Sequence, residues 1–105
     1  MRYEVILAPD AAEAYKQLSA RIRSQVRDAL ELHLRHEPTK VSKSRIKRLR
    51  GVSRPQYRLR VDEIRVFYDV KETTVEILAI LQKGDAQTWL DKEGIPDPGG
   101  RVSES

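Results

Sequence analysis

The stretch Tyr57-Arg58-Leu59-Arg60-Val61-Asp62-Glu63-Ile64-Arg65-Val66-Phe67-Tyr68-Asp69-Val70 decides how this chain is read. Tyr57, Leu59 and Val61 alternate with Arg58 and Arg60; beyond Asp62-Glu63, the residues Ile64, Val66, Tyr68 and Val70 alternate with Arg65, Phe67 and Asp69. Apolar residues at every second position line one side of a β-strand. Asp62-Glu63 has the length of a two-residue hairpin turn, so Val61 is expected opposite Ile64 and Arg60 opposite Arg65. Arg58 and Arg60 then stand on one side of a strand, roughly 6–7 Å apart. Arg65 joins them on the face away from Tyr57, Leu59, Val66 and Tyr68. Like charges on adjacent strands repel, whereas a phosphate among them accepts bidentate guanidinium bonds. The competing expectation pairs each arginine with a carboxylate such as Glu63, Asp69 or Glu76.

Beyond the hairpin, a turn around Lys71 to Thr73 leads into Val75–Leu81, apolar on nearly every residue, as in a strand buried on both faces. Upstream, Tyr3, Val5 and Leu7 read as a strand. Pro9-Asp10 ends it, with Asp10 as N-cap and Glu13 at capping-box spacing for a short helix over Ala11 to Leu18. Ser19 caps a second helix from Ala20 to about His36, whose stripe is Ile22, Val26, Ala29, Leu30 and His33 or Leu34. Pro38 stops it. Thr39 to Pro55 lacks a clean period and reads mostly as connection, with Ile46 and Leu49 dipping into the core. Asp85 to Lys92 reads as a terminal helix, with Trp89 and Leu90 inward and Gly94 as its stop. The order predicts an α+β fold: an N-terminal strand, a helical hairpin whose helices lie on one face of an antiparallel sheet, then a three-stranded antiparallel meander and a short C-terminal helix. One domain over residues 1–94 is expected, followed by a flexible tail over 95–105 that is rich in Pro and Gly.

The net charge of +4 in 105 residues conceals a segregation. Between Pro38 and Val61 there is no acidic residue, and nine of the 20 basic ones lie there; the other 11 face all 16 acidic residues, a balance of −5. Lys40, Lys43, Arg45, Lys47, Arg48, Arg50 and Arg54 form the connecting part of that block and are expected to attract RNA or another polyanion, or an acidic protein. The plainer alternative is a solvated linker. With no cysteine the chain has no disulfide, thiolate zinc site or cysteine nucleophile. The longest apolar run, Ile77 to Leu81, is far too short to span a membrane, and the four apolar residues after Glu4 are too few for a signal-peptide core. A cytoplasmic protein is expected. His33 and His36 have metal-compatible spacing but no further ligand, so no metal site is expected. Trp89 is expected to anchor the last helix rather than stack a base, and Tyr57 and Tyr68 to belong to the core.

Arg48-Leu49-Arg50-Gly51 followed by Tyr57-Arg58-Leu59-Arg60 and Arg65-Val66-Phe67-Tyr68 resembles the central signature of the RelE/ParE toxin superfamily of type II toxin–antitoxin systems. The resemblance runs from Tyr3 to about Leu90. In the RelE branch it implies a metal-independent endoribonuclease, an mRNA interferase that inhibits translation on the ribosome and needs no cofactor. There the 2′-hydroxyl attacks its neighbouring phosphate, and Arg58, Arg60 and Arg65 match the basic positions that hold that phosphate. The ParE branch implies DNA gyrase as target, without nuclease chemistry. Either branch implies a cognate antitoxin in a hetero-oligomer; a non-toxic RNA-binding module is the remaining alternative. The arginine and the terminal Tyr or His that the ribonuclease branch uses for proton transfer are not found in Gln82 to Leu90. Lys83 is the only basic side chain there, and with Glu63 and Asp85 it completes the candidate proton-transfer groups, since arginine stays protonated.

Overall fold

The computed structural model describes residues 2–97. Strand β1, Glu4–Leu7, is followed by α1 over Pro9–Gln17 and α2 over Ala20–Ala29. Helix α1 starts earlier than the capping pattern predicts. Ala8 is the N-cap and makes no side-chain bond, while Asp10 lies inside the first turn. The reason is Pro9: its fixed φ suits the first helical position, where a missing N–H costs nothing. Ser19 does cap α2, accepting the Ile22 N–H at 3.3 Å.

The second helix does not continue unbroken to His36. Residues Leu30–Leu34 widen into a π-helical turn, in which the Arg35 N–H donates to the Leu30 carbonyl at 3.2 Å. Ile22, Val26, Leu30 and Leu34 recur every four residues, a spacing that drifts around a helix of 3.6 residues per turn. The wider turn offsets that drift, so that Leu30 and Leu34 both stay buried. Leu32 is left 69% exposed.

The expected meander is present as β4 (Tyr57–Val61), β5 (Ile64–Lys71) and β6 (Thr74–Gln82). Asp62 and Glu72, each at the first position of a two-residue turn, take left-handed φ of 55° and 56°. The sheet is wider than the meander. It has five strands in the order β1-β6-β5-β4-β2, with β1 parallel to β6 and with β2, Ile46–Arg48, antiparallel to β4. Part of the supposed connection is therefore strand. A further piece, β3 (Val52–Arg54), pairs with β7 (Ile95–Pro96) in a separate two-stranded ribbon. The sequence pattern puts Ile95 and Pro96 in the tail, whereas pairing with β3 makes them strand; positions 98–105 of that tail lie outside the described residues.

One sheet face packs against the helical hairpin. Val26, Leu30 and Leu34 meet Ile46, Leu59, Ile64, Val66, Tyr68, Val75, Ile77 and Ile80 there. Tyr57 and Tyr68 stack at 5.4 Å, and the buried Tyr68 hydroxyl donates to the Pro38 carbonyl at 2.6 Å. A bulge sets Phe67 opposite Ala79 but Tyr68 opposite Ile77, so Leu78 is the extra residue. The bulge shifts the parity of β6, which explains why Val75–Leu81 shows no alternation. On the other face Phe67, only 1% exposed, is covered by Trp89 of α3, Ala86–Glu93, with ring centroids 5.3 Å apart. Gly94 ends α3; a Cβ there would lie 2.6 Å from the Leu90 carbonyl oxygen. Among the described residues no helix is long and apolar enough to cross a membrane.

Candidate nucleic-acid interface

Period-two geometry fixes where the arginines point. Leu59 and Val66 are directly registered and buried in the core, so their neighbours Arg58, Arg60 and Arg65 project from the opposite face. Arg60 is registered with Arg65, and Arg58 with Phe67 on one side and Lys47 on the other. Lys47 thereby joins the cluster on the sheet. A three-residue edge strand carries too little periodicity for this placement to be read from sequence.

The carboxylates that could have neutralised the cluster are engaged elsewhere. Glu63 lies 3.7 Å from Lys83, whereas Asp69 and Glu76 contact Arg54 at 3.5 and 3.3 Å. Among the described residues Arg58, Arg60, Arg65 and Lys47 form no ion pair. Arg65 is oriented by backbone alone: its Nη1 donates to the carbonyls of Asp62 at 2.8 Å and Ile64 at 3.1 Å. Arg58 is half-buried, and its Nε, shielded from solvent, has no hydrogen-bond partner. Burial, then the charges of Arg65 and Arg60, lower its pKa from the ordinary arginine value. The guanidinium stays cationic, so the face holds partly desolvated, unneutralised positive charge. That is the electrostatic condition under which a phosphodiester is bound and its developing charge stabilised.

Lys83 lies in the 3₁₀ turn Lys83–Asp85, one step beyond the registered pair Ile64 and Gln82. Its N–H donates to the Glu63 carbonyl at 2.8 Å, which brings the exposed Glu63–Lys83 pair to the same end of the sheet as Arg60 and Arg65. The chain's histidines are not there. His33 sits half-buried at the end of the helical hairpin, and burial followed by the Arg45 charge lowers its pKa. No group of three or more potential metal ligands occurs among the described residues.

The seven basic residues upstream of the hairpin do not act as one block. Lys43, Arg45, Lys47 and Arg50 have no ion pair among the described residues, while Lys40 lies 3.8 Å from Glu37. Arg48, registered with Tyr57, sits on the other side of its strand from Lys47, its guanidinium carbon 5.1 Å from the Tyr57 ring centroid. Arg54 bridges Asp69 and Glu76 and contributes no uncompensated charge, contrary to the sequence expectation. Asp69 is held in turn: its Oδ1 accepts the Gln56 N–H at 2.8 Å, and the Gln56 side chain accepts the Val70 N–H at 2.8 Å.

Residues 5–86 match the family model described as the ParE toxin of the type II toxin–antitoxin system parDE. Among solved structures, the chain is similar to the archaeal RelE–RelB complex from Pyrococcus horikoshii OT3, with 27% identity and a TM-score of 0.61 over 80% of this chain and 98% of that one. It is also similar to the toxin–antitoxin complex RelBE2 from Mycobacterium tuberculosis, with 26% identity and a TM-score of 0.65 over 78% and 99% of the two chains. The YoeB dimer from Staphylococcus aureus, at 21% identity and a TM-score of 0.57 over 75% and 94%, shares the fold. No curated protein matches the chain.

Proposed function

This chain belongs to the ParE toxin family of type II toxin–antitoxin systems, within the RelE/ParE superfamily, and from that premise we propose that it arrests translation by cleaving mRNA on the ribosome. The observation that carries this reading is the cluster of Arg58, Arg60 and Arg65 on one sheet face with no carboxylate paired to it among the described residues. In such a cleavage the 2′-hydroxyl attacks the adjacent phosphorus and the 5′-oxygen departs. The attacking hydroxyl loses a proton and the leaving oxygen gains one. The arginines hold the phosphate and spread the charge of its transition state. Glu63 accepts the first proton and Lys83 supplies the second, since this pair stands at the hairpin end beside Arg65.

The proposed partner is an antitoxin whose acidic segment covers the basic face, because the unpaired cations of Lys47, Arg58, Arg60 and Arg65 attract it. A second reading is inhibition by binding alone, with DNA gyrase as the target. The absence of histidine and tyrosine from Gln82 to Leu90 favours it, as does the description of the matching family.

Induced expression in a bacterium separates the two. Arrest with truncated mRNA, lost in Arg65→Ala and rescued by an adjacent antitoxin gene, supports cleavage. Arrest with intact mRNA and an induced DNA-damage response refutes cleavage and selects the gyrase reading.

A further inference from the structure

The arginine-bearing face does not stay basic along its length. From the Asp62-Glu63 turn outward, β5 presents Arg65, Phe67 and Asp69 on that face, and Glu76 of β6 is the registered neighbour of Asp69. Asp69 lies four residue steps beyond Arg65, a distance of about 13 Å along the strand. Over that span Trp89 of α3 covers Phe67, and beyond it the face changes from Lys47, Arg58, Arg60 and Arg65 without ion pairs to two carboxylates that share one arginine, Arg54. A pocket of about 330 Å³ opens at the acidic end, where Arg54 and Lys71 are outnumbered by Asp69, Glu72 and Glu76.

Asp69 is not an adaptable surface charge. Its side chain is 18% exposed, and the Gln56 N–H and the Arg54 guanidinium both hold it. Nor can Arg54 turn toward the other arginines without leaving Asp69 and Glu76 unpaired.

We propose that Asp69 and Glu76 bound the polyanion site: they withdraw Arg54 from it and repel phosphate, confining a bound RNA strand to the hairpin end over Arg58, Arg60 and Arg65. This rests on the RNA-directed reading above, which it deepens by fixing where the strand lies. Asp69 and Glu76 are positioning residues that touch no substrate.

The test is binding of a short oligouridine to the full chain across a potassium chloride series, because the slope of log K against log salt counts the phosphates neutralised. The doubly substituted Asp69→Asn, Glu76→Gln chain is expected to bind several-fold more tightly. Its slope should steepen by about 0.7 for each added single-strand phosphate contact. Adding Arg54→Ala to it is expected to return the slope to the wild-type value. Asp10→Asn with Glu13→Gln on α1 makes the same change in net charge and is expected to leave the slope unaltered. Glu76→Gln alone keeps the Asp69–Gln56 bond and is expected to show part of the gain, which separates the effect from any loss of folding. An unchanged slope in the Asp69, Glu76 variant, or an equal change in the α1 control, overturns the proposal while leaving the RNA reading intact. Failure of the wild-type chain to bind oligouridine also overturns the proposal, whereas the ribosome-dependent reading falls only if the message stays intact on programmed ribosomes.

Discussion

Arg60 and Arg65 face each other as directly registered residues across the β4–β5 hairpin, and neither has a carboxylate partner among the described residues. Opposed like charges in a strand pair cost roughly 0.2–1 kcal/mol. A fold that keeps them uses them for something other than its own stability. Arg60→Ala and Arg65→Ala are therefore expected to melt at or slightly above the wild-type temperature while losing oligonucleotide binding. Calorimetry beside a binding isotherm checks this. A marked drop in melting temperature would assign the arginines to the scaffold.

Tyr68 is a scaffold residue by the same kind of argument. Its hydroxyl is buried, burial and the adjacent Tyr57 raise its pKa, and it donates to the Pro38 carbonyl at 2.6 Å. Tyr68→Phe removes the donor and leaves that carbonyl unsatisfied, at a cost of about 1–2 kcal/mol. Urea unfolding is expected to show the loss, with RNA binding retained in the folded variant.

Trp89 is the single tryptophan of the chain, and its stack on Phe67 docks a helix with no fully buried residue. Trp89→Ala is expected to cost about 1–3 kcal/mol through lost burial and stacking. In the wild type, tryptophan emission reports α3 docking directly, and its shift during denaturation is expected to precede or coincide with loss of the sheet signal. A shift that follows sheet loss would contradict this view of α3 as a lightly attached element.

His33 gives the fold a pH dependence whose sign follows from its lowered pKa. Burial, reinforced by Arg45, disfavours the imidazolium in the folded chain relative to the ordinary value of 6.5. Between the lowered and the ordinary pKa the unfolded chain binds more protons, so stability rises with pH through that window and is lost as pH falls below about 6.5. His33→Gln is expected to flatten the slope, as judged by denaturant midpoints on either side of pH 6.5. An unchanged slope would place the titrating group elsewhere.

The hairpin and its arginines were legible because period-two alternation on both sides of Asp62-Glu63 fixes register and facing together. The second helix was legible from its four-residue stripe, but its π-helical end was not, since the widening answers the position of the sheet beneath Leu34. Strands β2 and β3 are three residues each, and their pairing is set by β4 and β7 rather than by any local pattern. For the same reason the neutralisation of Arg54 was hidden: Glu76 lies 22 positions away and comes within reach only through the β5–β6 register. The site's cations could be read from the chain, whereas which of them stay uncompensated depends on partners distant in sequence.

The central claim is that the arginine face acts on mRNA held by the ribosome. Its most direct measurement is incubation of purified chain with programmed ribosomes, followed by primer-extension mapping of the message. The account predicts discrete cleavage within the ribosome-bound codon, absent without ribosomes, unaffected by a metal chelator and abolished by Arg65→Ala. Full-length message in the presence of the folded chain would contradict it.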